Sequence, residues 1–154
     1  MNTREFSFIG FLSANNKDRR DKLEEVKFDT RTLIFYEAPH KLKTTLDAML
    51  DIFGDRNVVL AKELTKIHEE YIRGRISTIL EQLEDNIKGE FVIIVEGNEK
   101  SKKEVEIENL NELSLEEHFE YYEKQGLDKK EIIKKIAKDR NLSKNEVYQK
   151  FLNV

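Results

Sequence analysis

The densest run of reactive side chains is KELTKIHEE, Lys62 to Glu70. Two ammonium groups, three carboxylates, a hydroxyl and an imidazole follow directly on NVVLA, a short β-branched run. A carboxylate or imidazole can take a proton in a transfer reaction, and an ammonium can hold an anion beside it. A second candidate is TLIFYEAPHKL, Thr32 to Leu42, where an apolar run stops at Glu37, Ala38, Pro39 and His40. Pro39 is the only proline. A third is GEFVIIVEG, Gly89 to Gly97, whose apolar centre is flanked by Glu90 and Glu96. Ligands of α/β sheets often bind outside strand ends, which is where KELTKIHEE falls, just past a buried strand. Each also has a plainer reading: a charged turn with surface ion pairs, a strand-to-helix turn, and a core strand.

Other reactive types are sparse. The histidines, His40, His68 and His118, are too scattered to suggest a metal site. His118 lies in the acidic run EEHFEYYE and reads as a solvated helix residue. Neither a Gly-rich phosphate loop nor an HExxH pair is present, and without cysteine there is no disulfide, thiolate ligand or thiol nucleophile. From Lys124 to Lys150, nine basic side chains face four acidic ones. Lys130, Lys134, Lys135, Lys138, Arg140 and Lys144 form a candidate phosphate-binding patch on a helix–short turn–helix pattern. The alternative is a small helical bundle with lysines on its wet face.

These residues need elements to position them. FSFIGFL (6–12) reads as a first strand, with Gly10 marking either a bulge or a close backbone approach. Residues 15–26 read as a thinly amphipathic helix and 31–36 as a second strand. After Pro39, Leu42, Leu46, Met49, Leu50 and Phe53 recur at helical spacing up to Gly54, a C′ residue. Residues 57–61 form a third strand. Ile67, Glu69, Tyr71 and Arg73 are expected to share one face of a fourth, antiparallel to the third because the connection is too short for a crossover. A helix over 75–86 and a last strand before Gly97 complete an α/β class with a mixed sheet flanked by helices. Residues 98–111 read as a charged linker. Capping boxes at Ser114/Glu117, Asp128/Glu131 and Ser143/Glu146 open three helices, so 112–154 is expected to be a three-helix extension.

The bulk numbers fit this plan. The chain has 154 residues, 38% hydrophobic and 38% charged, with a net charge of −4. Any nucleic-acid contact must therefore be a local patch. No apolar run approaches the roughly 18–20 residues of a membrane-spanning helix.

Three segments, RTLIFYEAPHKL, VVLAKELTKIHEEYIRG and KGEFVIIVEG, together resemble the C-terminal half of the small-subunit ribosomal RNA methyltransferase I family, within the tetrapyrrole methylase superfamily. That family typically shows TLIFYESPHRL, ARELTKxHEE and a GE-hydrophobic-EG strand in this order. FIGFLSANNKDRRDKLEEV is similar to its GFLP-x-K-x-x-x-R region, with Ser13 where proline is usual. The resemblance covers about residues 6–97.

It implies S-adenosylmethionine-dependent 2′-O-methylation of a cytidine in 16S rRNA by a cytoplasmic, homodimeric enzyme acting on the small ribosomal subunit. It implies two α/β domains with the cofactor between them, residues 1–97 being the C-terminal one. The family's Gly-rich N-terminal domain has no counterpart in this sequence, so the chain is expected to bind the cofactor weakly or not at all and not to methylate alone. Carried over by motif, Glu37, Ala38, Glu63, Leu64, Thr65, Gly89 and Glu90 are the cofactor-cleft positions, with Glu37 expected at the cleft edge and facing solvent in this chain. His40 lies in the same motif. Glu63, Lys66 and Glu69 are the catalytic candidates, with His68 a further possible base, although the base lies equally well in the N-terminal domain. Lys62 stands where arginine is usual, which removes a bidentate contact. Two other readings stay open: a small-molecule tetrapyrrole methylase, and a non-catalytic nucleic-acid-binding module using the helical tail.

Overall fold

The computed structural model describes residues 1–152. It divides into two units, Met1–Ser101 and the residues from Lys102 onward.

The first unit runs β1 (Phe6–Phe11), α1 (Asn16–Val26), β2 (Thr32–Glu37), α2 (Pro39–Phe53), β3 (Asn57–Lys62), β4 (Glu70–Arg75), α3 (Ile76–Gln82) and β5 (Phe91–Val95). The sheet order is β1-β2-β5-β3-β4. Only β1 and β2 are parallel; β2 with β5, β5 with β3 and β3 with β4 are antiparallel. The class is mixed α/β, and the third and fourth strands pair antiparallel as their short connection requires.

Strand alternation builds the core. Leu33 and Phe35 of β2, Val58 and Leu60 of β3, and Ile93 and Val95 of β5 share one buried cluster with Leu23 of α1, Leu46 and Met49 of α2, and Ile76 and Ile79 of α3. All three helices therefore lie on the same face of the sheet. The other face carries Phe8 and Tyr36, 56% and 41% exposed. In β1 the register shifts between Phe8 and Gly10, and Gly10 takes φ 77°. This bulge brings Phe11 to the side of Phe8, so both rings touch Tyr36. Helix α2 starts with Pro39 in its first turn, where no N–H bond is lost, and stops at Gly54 (φ 78°), whose N–H reaches the Leu50 carbonyl.

Two expectations shift here. Strand β4 begins at Glu70, so Ile67 and Glu69 belong to the preceding loop, and Ile67 is 97% exposed. Helix α3 ends at Gln82 rather than near residue 86, because Leu83 leaves helical geometry (ψ 123°).

The second unit comprises α4 (Lys102–Glu112), α5 (Leu115–Glu123), α6 (Lys129–Asp139) and α7 (Lys144–Leu152). Its core gathers Leu110, Tyr122, Ile132, Ile133, Ile136, Ala137 and Val147. Most of the segment expected as a linker, 98–111, is thus the helix α4, and the described residues of the unit form four helices rather than three. Leu110 is the only residue of α4 in the buried core, a stripe too thin to mark a helix in advance. All three capping boxes form, with both reciprocal bonds in each.

Candidate functional site

Register converges three chain segments at one edge of the sheet. Phe91, the first residue of β5, pairs with Glu37 on one side and Lys62 on the other. The carboxyl ends of β2 and β3 therefore flank the start of β5. Beside them opens a cleft of about 690 Å³. Phe11 of β1 and Tyr36 of β2 form an aromatic wall, and Ala38, Pro39 and His40 form the turn into α2. Leu64 and Thr65 come from the β3–β4 loop, and Glu90 from the approach to β5.

Five of the seven expected cofactor positions, Glu37, Ala38, Leu64, Thr65 and Glu90, line this one cleft. Glu63 and Gly89 are not among the lining residues but adjoin Leu64 and Glu90, which are. The N–H of Glu63 donates to the Glu90 carbonyl (2.9 Å), and the N–H of Glu90 donates to Glu63 Oε1 (2.7 Å). Gly89, at φ 94°, is the residue that allows this: a β-carbon there would lie 2.8 Å from Glu63 Oε1.

Glu37 corrects an expectation. It is 3% exposed rather than solvent-facing. It shares the parity of Leu33 and Phe35 and so turns toward the helices. There Oε1 accepts the Ala38 N–H (2.9 Å) and Oε2 accepts the Thr45 hydroxyl (2.7 Å). The start of α2 also offers the positive end of a helix dipole to this carboxylate. Glu37 shapes the turn from beneath and leaves the backbone of Ala38 at the cleft surface.

The catalytic candidates form a stapled loop. Lys66 Nζ lies 2.9 Å from Glu63 Oε2 and 3.3 Å from Glu90 Oε2. The Thr65 N–H donates to Glu69 Oε2 (2.7 Å), and the Tyr71 hydroxyl donates to Glu69 Oε1. Glu63 (φ 52°) and Thr65 (φ 68°) are both left-handed. The Lys66 ammonium, and then the Glu90 N–H, hold the Glu63 carboxyl below its ordinary range. The Tyr71 hydroxyl, and then the Thr65 N–H, do the same for Glu69. Glu63, followed by Glu90, pushes Lys66 up, so it stays a cation. Depressed carboxylates are weak proton acceptors. In this geometry Glu63 and Glu69 shape the loop, and Lys66 supplies positive charge beside the cleft. His68 is exposed on the same loop.

In the second unit, the expected phosphate-binding residues separate into groups. Lys130, Lys134 and Lys144 share one concavity with Tyr148, whereas Lys135 and Lys138 border another with Tyr121 and Tyr122. Arg140 is turned inward: its guanidinium donates to His118 Nδ1 (3.1 Å) and to the carbonyls of Leu110, Leu113 and Ser114. It ties helix ends together instead of presenting a free cation. His118, expected in solvent, is fully buried, with Nε2 3.4 Å from Asp139 Oδ2. It sits four residues before Tyr122 and so on the same buried helix face. Burial, and then the Arg140 charge, push its pKa down, against an opposing pull from Asp139.

Sequence reasoning missed Phe11 and Tyr36 as cleft residues. The glycine in FSFIGF was the available signal, since a bulge there reverses which face Phe11 joins.

No family profile matches the chain. It is 46% identical over 147 residues to ribosomal RNA small subunit methyltransferase I of Bacillus subtilis (strain 168), covering 95% of this chain and 50% of that protein. It is 48% identical over 149 residues to the protein of the same name from Halalkalibacterium halodurans, again over 95% and 50%. Among solved structures, the methyltransferase CobJ matches with a TM-score of 0.43 and 13% identity, over 60% of this chain and 41% of that one. The chain thus spans about half the length of the curated relatives it matches. Over nearly all of its own length, the chain is similar to one half of the proteins named ribosomal RNA small subunit methyltransferase I.

Proposed function

We propose that this chain is the counterpart of the C-terminal half of an S-adenosylmethionine-dependent rRNA methyltransferase, acting on a ribose 2′-hydroxyl of 16S rRNA, and that its first unit supplies one wall of the methyl-donor site. The observation that carries the reading is the convergence of Ala38, Leu64, Thr65 and Glu90 on a single cleft at the strand ends. Its volume falls within the roughly 300–1,000 Å³ usual for small-molecule sites.

The residues present fit such a donor. Phe11 and Tyr36 offer aromatic faces to a purine ring. The left-handed loop at Thr65 and the turn at Ala38 bring backbone groups to the cleft surface. Glu90, whose side chain is 84% exposed, offers a carboxylate to a cationic group. When bound, S-adenosylmethionine supplies a methyl group on a sulfonium centre. This chain's contribution is to orient that group and to hold Lys66 as a fixed positive charge near the cleft. Alignment of donor and acceptor provides much of the rate in such transfers.

The relatives are twice as long, and we assign the facing wall to their other half. Nuclear magnetic resonance of the 154-residue chain with millimolar S-adenosylmethionine tests this. Amide shifts confined to Ala38, Leu64, Thr65, Glu90 and their neighbours are expected, with millimolar affinity or weaker. Shifts scattered elsewhere would defeat the assignment of the cleft, and micromolar affinity would defeat the half-site reading.

A further inference from the structure

The concavity between α6 and α7 has a composition that the first unit's cleft lacks. It measures about 680 Å³ and is bordered by Lys129, Lys130 and Lys134 of α6 and by Lys144, Asn145 and Tyr148 of α7. Lys130 and Lys134 are one helical turn apart and so project from the same face. Ile133, 8% exposed, contributes an apolar floor. Four ammonium groups face one carboxylate, Glu131, whose Oε2 already accepts the Asp128 N–H in its capping box. Among the described residues none of these four lysines is held in an ion pair.

The aromatic ring decides what this charge is for. Val147 is fully buried, whereas the neighbouring Tyr148 is 45% exposed, so α7 anchors through one residue and presents the next. A second concavity in the unit makes the contrast. It also has lysines and tyrosines, but the Tyr121 hydroxyl is bound to Glu106 and the Tyr122 hydroxyl to Asp139, and Lys135 already covers the Tyr122 ring at 4.6 Å. Of these two concavities, the α6–α7 groove is the one that combines an open ring with cations that have no ion-pair partner among the described residues.

Building on the reading of an RNA substrate, we propose that this groove binds single-stranded RNA, with one base stacked on Tyr148 and the adjoining phosphates on Lys130, Lys134 and Lys144. Single-stranded RNA is recognised by stacking of unpaired bases on aromatic side chains within a basic groove. A duplex offers phosphates to the lysines but no free base to the ring. The Asn145 amide, at the groove edge, carries both a donor and an acceptor for a base edge.

The test is fluorescence anisotropy of the 154-residue chain with a labelled single-stranded RNA of about eight nucleotides, within the span such grooves occupy. Tyr148→Phe should bind as the parent does. Tyr148→Ala should lose about tenfold in affinity with the salt dependence unchanged, because stacking releases no counterions. Lys134→Gln should weaken binding and flatten the salt slope by about 0.7, one phosphate contact on a single strand. Lys124→Gln, paired with Glu120 away from the groove, should change neither. An equal-length duplex should bind more weakly. Equal binding by Tyr148→Ala, or displacement of the RNA by polyglutamate as readily as by unlabelled RNA, would overturn the proposal in favour of a surface that takes any polyanion. Failure here with the donor shifts in the first unit intact removes only the groove. Loss of those shifts with Tyr148-dependent RNA binding intact removes the methyl-donor reading.

Discussion

The carboxylate of Glu63 fills the space that a side chain at Gly89 would need: an ideal β-carbon there lies 2.8 Å from Oε1 and 3.1 Å from Cγ. The absence of a side chain at 89 and the presence of one at 63 are a single feature. It lets Glu63 reach the Glu90 N–H and lock the β3–β4 loop to the approach of β5.

Gly89→Ala should therefore act on the loop as well as on its own backbone. At φ 94° an alanine is strained by about 1–3 kcal/mol, and it also displaces the Glu63 carboxylate. Urea denaturation should show a loss in that range, and the Glu90 amide should lose its protection from hydrogen exchange. An unchanged midpoint with the amide still protected would disprove the coupling.

Thr45→Val tests the buried side of the turn. The substitution keeps the shape but removes the donor to Glu37 Oε2, leaving a 3% exposed carboxylate one bond short. A loss of about 1–3 kcal/mol is expected by chemical denaturation. A double-mutant cycle with Glu37→Gln should show coupling of at least about 0.5 kcal/mol. Additive effects would mean that the two side chains are independent.

Much of this arrangement was legible because alternation and caps are local. In TLIFYE the parity of Leu33 and Phe35 also covers Glu37, so the burial of that carboxylate was written in the strand; the expectation of a solvent-facing edge gave motif position precedence over parity. His118 likewise stood on the stripe of Tyr122, where an acidic neighbourhood suggested solvent. Other features had no sequence signal. Arg56 donates to the carbonyls of Lys27, Phe53 and Glu96 and to Asn98 Oδ1, joining segments far apart in the chain. Carbonyl acceptors carry no residue identity, so only the fold reveals them. The helix α4 was hidden for a different reason: Leu110 is its one fully buried residue, Val105 and Ile107 are only half-buried, and the charges between them resemble a linker.

His118 should give the second unit a stability that depends on pH. Its Nδ1 accepts from Arg140, which requires the neutral ring, and Asp139 and Tyr122 are its other polar neighbours. Its folded pKa lies below the unfolded value of about 6.5. Stability is therefore complete above about pH 6.5. It falls as pH drops through that value, because the unfolded chain takes the proton first, and the loss levels off below the folded pKa. His118→Gln should remove this slope from denaturation curves between about pH 7 and 5. An identical slope in the variant would exclude His118 as its source.

Asp29 should dominate the acid limb of the first unit. Its carboxylate accepts from Arg31 Nε, Nη2 and N–H and from the Ser7 hydroxyl, which ties the turn before β2 to β1. The Arg31 bonds are the main cause of a pKa lowered to about 2. With the folded value depressed, the stabilisation is present above about pH 4 and disappears as pH falls toward 2. Arg31 is half exposed, so solvent screening reduces the effect to about 1 kcal/mol. Asp29→Asn should flatten the acid limb and cost about that much at pH 7. A parallel acid limb in the variant would assign it to other carboxylates.

Thr65 is the sharpest local conflict in the cleft wall. A β-branched residue at φ 68° is an outlier, and Thr65 keeps this conformation through its N–H bond to Glu69 Oε2 and the turn bond from Lys66 N–H to the Glu63 carbonyl. Asn141, at φ 52° after α6, is a type that tolerates the left-handed region and shows what an unstrained case looks like. Thr65→Gly should remove the strain and raise stability by about 0.5–1 kcal/mol, the glycine's extra unfolded-state entropy cancelling part of the gain. The same change lets the loop leave the shape that lines the cleft, so S-adenosylmethionine-induced shifts at Ala38 and Glu90 should shrink. Asn141→Gly should move neither quantity by more than a few tenths of a kcal/mol. Strain retained at a ligand wall predicts opposite signs for stability and donor binding in Thr65→Gly. If both fall together, the left-handed threonine is a packing necessity of the loop and has no separate role in the site.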